Sequence, residues 1–191
     1  CVMAIKSAKV GGLKVPKEAF QQFSARLDHT TSNDTGTNGK AWYWAVGDSP
    51  QTAAISKDAN GANSANTMQA VAMLSRQFMG WKRSDPILIG GANYVVEHPP
   101  KWGKGGWMYY YWYSGTLVMF QMGGDWWKTW NANLRDMLIQ HQINDPNNLR
   151  LDGSWDPIND GQKGGRAYST AMACLCLEVY YRYFTPLLKQ R

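Results

Sequence analysis

One pattern recurs four times along this 191-residue chain: a helical stretch that is apolar on nearly every side and rich in small residues. The four stretches span residues 2–10, 68–78, 114–120 and 169–175. Glycine follows each of the first three, at positions 11–12, 80 and 123–124, as is typical of a left-handed helix C-cap. Because a helix without a polar face has to be covered on both sides, the four stretches are predicted to form an inner layer.

A second, amphipathic helix is predicted after each of those glycines. Pro16 and Pro86 stand at first-turn positions, where the missing N–H of proline is harmless. Asp85 is a good N-cap in front of Pro86, and an apolar stripe from Trp126 to Leu138 marks the third amphipathic helix. The repeating unit is therefore an α-hairpin whose second helix can face water.

The fold class predicted from this pattern is all-α, with about seven helices in a single domain over residues 1–191. The helices are expected near 2–10, 16–29, 66–79, 86–98, 109–122, 126–142 and 167–184. No strand alternation is long enough to build a sheet. Stacked hairpins of this kind give inner and outer helix layers, as in an α-solenoid or a closed α/α barrel.

Two segments in the second half of the chain resemble a known repeat. A Leu-Ile-Gln-His-Gln segment ends at Gln142, and a Leu-Asp-Gly-Ser-Trp-Asp-Pro segment carries Gly153 and Trp155. Together they resemble the Gln…Gly-x-Trp repeat of squalene–hopene cyclases. The segments 164–171 and 178–183 resemble the last helix of bacterial proteins that carry prenyltransferase/squalene-oxidase repeats.

This resemblance to the terpenoid cyclase and protein prenyltransferase families implies a partial α/α toroid. It implies that Gln142 caps a helix end and that Trp155 stacks over the following turn, with Gly153 completing the motif. We expect this chain to be the C-terminal part of a larger toroid protein. Its expected partners are the rest of the full-length chain or a second copy of itself.

The chemistry of those families does not follow from the sequence. The Asp-x-Asp-Asp and Asp-Cys-Thr acid motifs of the cyclases do not occur, and neither Cys174 nor Cys176 has the upstream Asp of a prenyltransferase zinc site. Both cysteines are expected to act as small buried hydrophobes. Neither a cofactor nor a metal is expected.

The run from Trp107 to Tyr113 is the most unusual feature, with six aromatic residues in seven positions. The rings either fill a wide gap between curved layers or form a platform for sugars, isoprenoids or an extended peptide. The candidate ligand-binding rings are Trp107, Tyr109, Tyr111, Trp112 and Tyr113.

A non-catalytic binding or interaction module with an aromatic-lined concave face is the leading hypothesis, with an apolar or carbohydrate ligand. The alternative is a terpene cyclase-like or polysaccharide lyase-like enzyme, whose acid is expected in the N-terminal half of the larger toroid, which this sequence lacks, or among Tyr111, Tyr113 and Arg166. The net charge of +6 comes from scattered basic residues, whereas nucleic-acid sites are clustered. No apolar run approaches the roughly 18 residues of a membrane span.

Overall fold

The computed structural model describes residues 2–31, 61–103, 108–158 and 160–179. Within these ranges the chain forms seven helices and no β-strand, which confirms the all-α prediction with about seven helices. They are α1 (Val2–Val10), α2 (Lys17–His29), α3 (Gly61–Phe78), α4 (Pro86–Glu97), α5 (Met108–Met122), α6 (Gly124–His141) and α7 (Asp160–Leu177).

The two largest differences from the predicted boundaries lie at helix starts. Helix α3 begins at Gly61 rather than near 66, and α7 begins at Asp160 rather than near 167, although the part of α7 that follows the non-helical Gly165 begins close to the predicted residue. In both cases a polar, glycine-containing segment extends the apolar stretch, so hydrophobic periodicity does not reveal it. Gly165, with φ of 73°, interrupts α7, and the predicted continuation past residue 179 lies outside the described residues.

The four helices predicted as the inner layer pack side by side in chain order, but α1 is not covered on both sides as predicted, because only Val2 of it is buried. Helix α3 contacts α1 and α5, and α5 contacts α7. The amphipathic helices α4 and α6 pack on each other, with α4 on α3 and α6 on α5. Leu27 and Phe23 hold α2 against Ala72 and Met79 at the C-terminal end of α3.

Helix ends follow the predicted signals. The Asp85 side chain accepts a hydrogen bond from the Ile87 N–H at 3.0 Å, and Pro86 occupies the first turn of α4. Gly12, Gly80 and Gly123 have φ values of 83°, 95° and 68°, positive values that favour glycine at these helix ends. Gly123 has ψ of −162° and is the N-cap of α6, so it does not form the predicted left-handed C-cap.

Gly115 allows α5 and α6 to approach closely. A Cβ atom at this position would lie 2.5 Å from Cζ2 of Trp130. The Trp130 ring is buried, its Nε1 donates to the Thr116 hydroxyl at 3.1 Å, and it meets the Tyr111 ring edge to face with the ring centroids 5.4 Å apart. Gly115 on α5 therefore leaves the room that the Trp130 ring of α6 occupies between the two helices.

A buried arginine ties the end of α2 to α3. Arg76 is 1% exposed, and its Nη2 donates to the Thr31 hydroxyl at 2.9 Å and lies 3.4 Å from Asp28 Oδ1. Its guanidinium carbon lies 5.1 Å from the ring centre of Trp81. Desolvation lowers the pKa of Arg76, while the Asp28 charge opposes that shift. Among the described helices, none is long and apolar enough to cross a membrane.

Candidate functional site

Three of the five described aromatic residues of the run are buried. Tyr109, Tyr111 and Trp112 are 0%, 5% and 1% exposed, whereas Tyr110 is 43% exposed and Tyr113 is half-buried. Trp107 lies outside the described residues. Because α5 is contacted by α3, α6 and α7, rings that leave it in different directions still meet protein.

The two buried tyrosines are also hydrogen-bonded within the protein. The Tyr109 hydroxyl donates to the Asp156 carbonyl at 2.8 Å, and the Tyr111 hydroxyl donates to the His98 carbonyl at 2.7 Å. Burial raises the pKa of Tyr111, and the hydroxyl stays protonated at neutral pH. These rings fasten α5 to the end of α4 and to the loop after α6, so a ligand face has to be sought outside this buried set.

The residues of the repeat motif lie close together in the loop that follows α6: Gln142, Gly153 and Trp155. Gln142 follows the last residue of α6, and its Nε2 donates to the Gly153 carbonyl at 2.8 Å. Gly153 has φ of 74°, and Trp155, 2% exposed, donates from Nε1 to the Leu138 carbonyl at 2.8 Å. Trp155 therefore satisfies a carbonyl in the last turn of α6. The Gln142 side chain closes the loop and does not cap the helix, in contrast to what the resemblance implies.

Backbone pairing and an arginine complete this loop. The Ile143 N–H donates to the Ser154 carbonyl at 2.9 Å, and the Gly153 N–H donates to the Ile143 carbonyl at 2.8 Å. Arg166 donates to Asp156 Oδ1 at 2.6 Å and to the Ser154 hydroxyl at 3.1 Å. Of the three residues considered for acid chemistry, Tyr111 and Arg166 are thus engaged in internal hydrogen bonds.

Replacing Gln142 by alanine is expected to lower the free energy of unfolding by about 0.5–1 kcal/mol, because the exposed amide makes one neutral hydrogen bond. Urea denaturation followed by circular dichroism measures this loss. Asn144→Ala, which removes an exposed amide from the same loop, is the matched control and should change stability by less. Equal effects of the two substitutions would contradict the role of Gln142.

An open cleft lies between α6 and the segment that follows α4. Its volume is about 570 Å³, within the range of small-ligand sites. Pro100, Ala132 and Met137 supply apolar lining, and the remaining lining residues carry a polar group or an aromatic ring: Lys101, Trp102, Asn133, Asp136, Gln140 and His141.

An aromatic stack forms one wall of the cleft. The rings of Trp102 and His141 are stacked with centroids 4.2 Å apart, and Trp102 also stacks on Trp112 at 5.8 Å. Trp102 meets Tyr109 edge to face at 6.3 Å. This wall is therefore continuous with the buried aromatic core, because the half-buried Trp102 contacts both that core and the cleft.

Polar side chains on α6 line the cleft beside the aromatic stack. Nδ1 of His141 lies 2.8 Å from the Met137 carbonyl, so it carries the proton and leaves Nε2 as an acceptor in the neutral ring. Asp136 pairs with its neighbour Arg135 at 2.9 Å on the exposed surface. Within the described part of the chain, the side chains of Lys101 and Gln140 make neither hydrogen bonds nor ion pairs.

Searches against protein-family models, curated proteins and solved structures found no match to this chain. The interpretation of the site therefore depends on its own geometry. Within the described ranges, no three His, Cys, Asp or Glu side chains lie close enough together to hold a metal ion.

The cleft residues carry no sequence signal that marks a binding site. Asn133, Asp136 and Gln140 recur at spacings of three and four, which places them on one face of α6. The same spacing is typical of a solvated polar face, so it does not distinguish a binding wall. The stacking of Trp102 on His141 joins residues 39 positions apart and leaves no local signal.

The cysteines of α7 differ in exposure. Cys176 is 3% exposed and Cys174 is half-buried. Burial raises the pKa of both thiols, that of Cys176 to about 12. Because the thiolate is the reactive form, burial makes Cys176 a poor nucleophile.

Cys176 is expected to resist alkylation by iodoacetamide at pH 8 in the folded protein, while Cys174 reacts faster because it is partly exposed. Fragmentation mass spectrometry of the labelled α7 peptide separates the two sites. Both thiols should react in urea, which is the control for intrinsic reactivity. Equal labelling rates in the folded chain would show that the C-terminal part of α7 is open to solvent.

Proposed function

We propose that this chain is a non-catalytic ligand-binding domain of the α/α toroid class, and that its ligand binds in the cleft between α6 and the segment after α4. The observation that carries this proposal is the pairing of the Trp102–His141 stack with the uncommitted side chains of Lys101 and Gln140 in one cleft of about 570 Å³. A binding surface needs both an apolar wall and a few polar groups that fix orientation.

The geometry around the cleft favours binding over catalysis. Its carboxylate, Asp136, is paired with Arg135 and half exposed, whereas a general acid is typically buried or placed against a like charge. Tyr111 and Arg166 hold loops together through the hydrogen bonds described above. The enzyme alternative is accordingly the weaker proposal.

Membership of the toroid class is supported by two features. The helices α1, α3, α5 and α7 pack in chain order, and Trp155 Nε1 donates to the Leu138 carbonyl in the last turn of α6. On α1 and just after it, Met3, Val10 and Leu13 are 46%, 78% and 67% exposed. Such apolar exposure at the first inner helix suits a further layer of helices, from its own longer chain or from a second copy.

The test is a nuclear magnetic resonance titration of the ¹⁵N-labelled chain with three probe classes: neutral oligosaccharides, indole derivatives and short peptides. A ligand of the cleft is expected to shift the backbone amides of Lys101, Trp102 and the last turns of α6. Gln140→Ala should weaken those shifts, and Asn131→Ala, an amide on α6 outside the cleft, should leave them unchanged. Shifts confined to other surfaces, or no shifts with any probe, would overturn the proposal.

A further inference from the structure

We propose that the turn between α1 and α2, residues 10–14, inserts into the surface of an anionic phospholipid bilayer. This inference is independent of the cleft at Trp102. It depends on three observations: exposed apolar side chains on the turn, a backbone that holds the turn in shape, and a surrounding segment whose charged residues are all lysines.

Exposed apolar side chains are concentrated at this turn. Of the six exposed large hydrophobic residues in the described part of the chain, three lie within residues 3–13. Val10 and Leu13, on the turn itself, are 78% and 67% exposed. Clustered apolar exposure of this kind marks a surface that meets another apolar phase.

Backbone hydrogen bonds hold the turn in one shape. The Leu13 N–H donates to the Ala8 carbonyl at 2.9 Å, and the Gly12 N–H donates to the Lys9 carbonyl at 3.2 Å, which is the bond pair of a Schellman motif. Leu13 commonly packs back on the helix in this motif, yet here most of its surface is in water. Because the backbone is already ordered, little conformational entropy is lost when the side chains of the turn are buried.

The segment that carries the turn is cationic. Residues 2–17 contain four lysines and neither aspartate nor glutamate: Lys6, Lys9, Lys14 and Lys17. Lys14 and Lys17 are exposed. Lys17 is also the first residue of α2, where the helix dipole favours an anion, so its charge does not stabilise that helix. Apolar side chains beside lysines are the combination that binds anionic lipid surfaces.

A bilayer fits this surface better than a protein does. A second copy docked on the turn would bring lysine against lysine, and like charges across an interface cost free energy. Val10 and Leu13 have protein on one side only, so a folded partner would need a pocket shaped for each of them. Acyl chains surround such side chains without a preformed pocket, while anionic headgroups neutralise the lysines.

The experiment is flotation of the intact chain with vesicles of phosphatidylcholine alone or of an equimolar mixture with phosphatidylserine. The chain is expected to bind the mixed vesicles and not the neutral ones. Leu13→Ser should lower the partition coefficient by about tenfold, since it removes most of an inserted leucine side chain. Lys14→Gln and Lys17→Gln should each lower it by about fivefold.

Two matched controls lie in the loop after α6. Leu149→Ser removes an apolar side chain that is 85% exposed, and Arg150→Gln removes an exposed cation. Both should leave vesicle binding unchanged, and circular dichroism of every variant checks the fold. Failure to bind the mixed vesicles, or equal losses for Leu13→Ser and Leu149→Ser, would overturn the proposal.

Two further outcomes identify a different partner. Binding that depends on Lys14 and Lys17 but not on Leu13 would show attraction to any polyanion rather than insertion, and the proposal would fail. Sedimentation equilibrium of the double variant Val10→Ser, Leu13→Ser tests the protein alternative. If this variant loses self-association of the chain and keeps vesicle binding, a second copy covers the turn and the proposal also fails.

Discussion

Trp155→Ala is expected to lower the free energy of unfolding by about 3–5 kcal/mol, the usual loss for a buried tryptophan. The indole is 2% exposed and belongs to the main core. Its removal leaves a cavity and takes away the donor to the Leu138 carbonyl. Since domains of this size are stable by about 5–15 kcal/mol, such a loss is a large part of the total. Urea denaturation followed by circular dichroism measures it.

Two further variants separate packing from hydrogen bonding at this position. Trp155→Phe keeps most of the buried ring and loses the Nε1 donor, so its loss should be smaller than that of Trp155→Ala. Leu149→Ala removes a side chain that is 85% exposed in the same loop and should change stability by no more than about 0.5 kcal/mol. An unchanged denaturation midpoint for Trp155→Ala would contradict the role of this residue at the end of α6.

Gly115→Ala is expected to destabilise the protein by about 1–3 kcal/mol, the cost of overpacking a filled core. The added methyl group would lie 2.5 Å from one Trp130 ring carbon and 2.6 Å from another. The ring has little room to retreat, because it is buried, bonded to Thr116 and packed against Tyr111. Thermal and urea denaturation measure the loss.

In a protein that also carries Trp130→Ala, we expect Gly115→Ala no longer to be destabilising. Once the indole is gone, the three atoms nearest to the new methyl group are gone with it, and alanine is the better helix former by roughly 0.5–1 kcal/mol. Gly115→Ala should then be neutral or stabilising relative to Trp130→Ala alone. A similar loss in both backgrounds would show that the close approach of α5 and α6 is not what requires glycine here.

The fold was predictable from the sequence to the extent that its signals are local. Apolar stretches and the glycines after them indicate the inner helices, and Asp85 with Pro86 indicates the start of α4. The Gln142–Gly153 hydrogen bond follows a motif within 12 residues. These features depend on helix periodicity, capping and turn chemistry, each of which acts over a few residues.

The site was less predictable, because it depends on contacts between distant residues. The run from Tyr109 to Tyr113 does not show which rings are buried, since that is decided by α3, α6 and α7 around α5. No sequence pattern around Trp102 indicates that His141 stacks on it. The close approach at Gly115 likewise requires the position of Trp130, which tertiary packing sets.

Tyr109, Tyr111 and Trp112 form core, and we propose that the ligand-facing surface is the cleft at Trp102. Hydroxyl-radical footprinting of the folded chain with mass spectrometry tests it most directly. Tyr110 and Trp102 are expected to be oxidised, while Tyr109, Tyr111 and Trp112 are protected and become reactive only in urea. Oxidation of Tyr111 and Trp112 as fast as that of Tyr110, with Trp102 protected, would contradict the claim and return the ligand platform to the aromatic run.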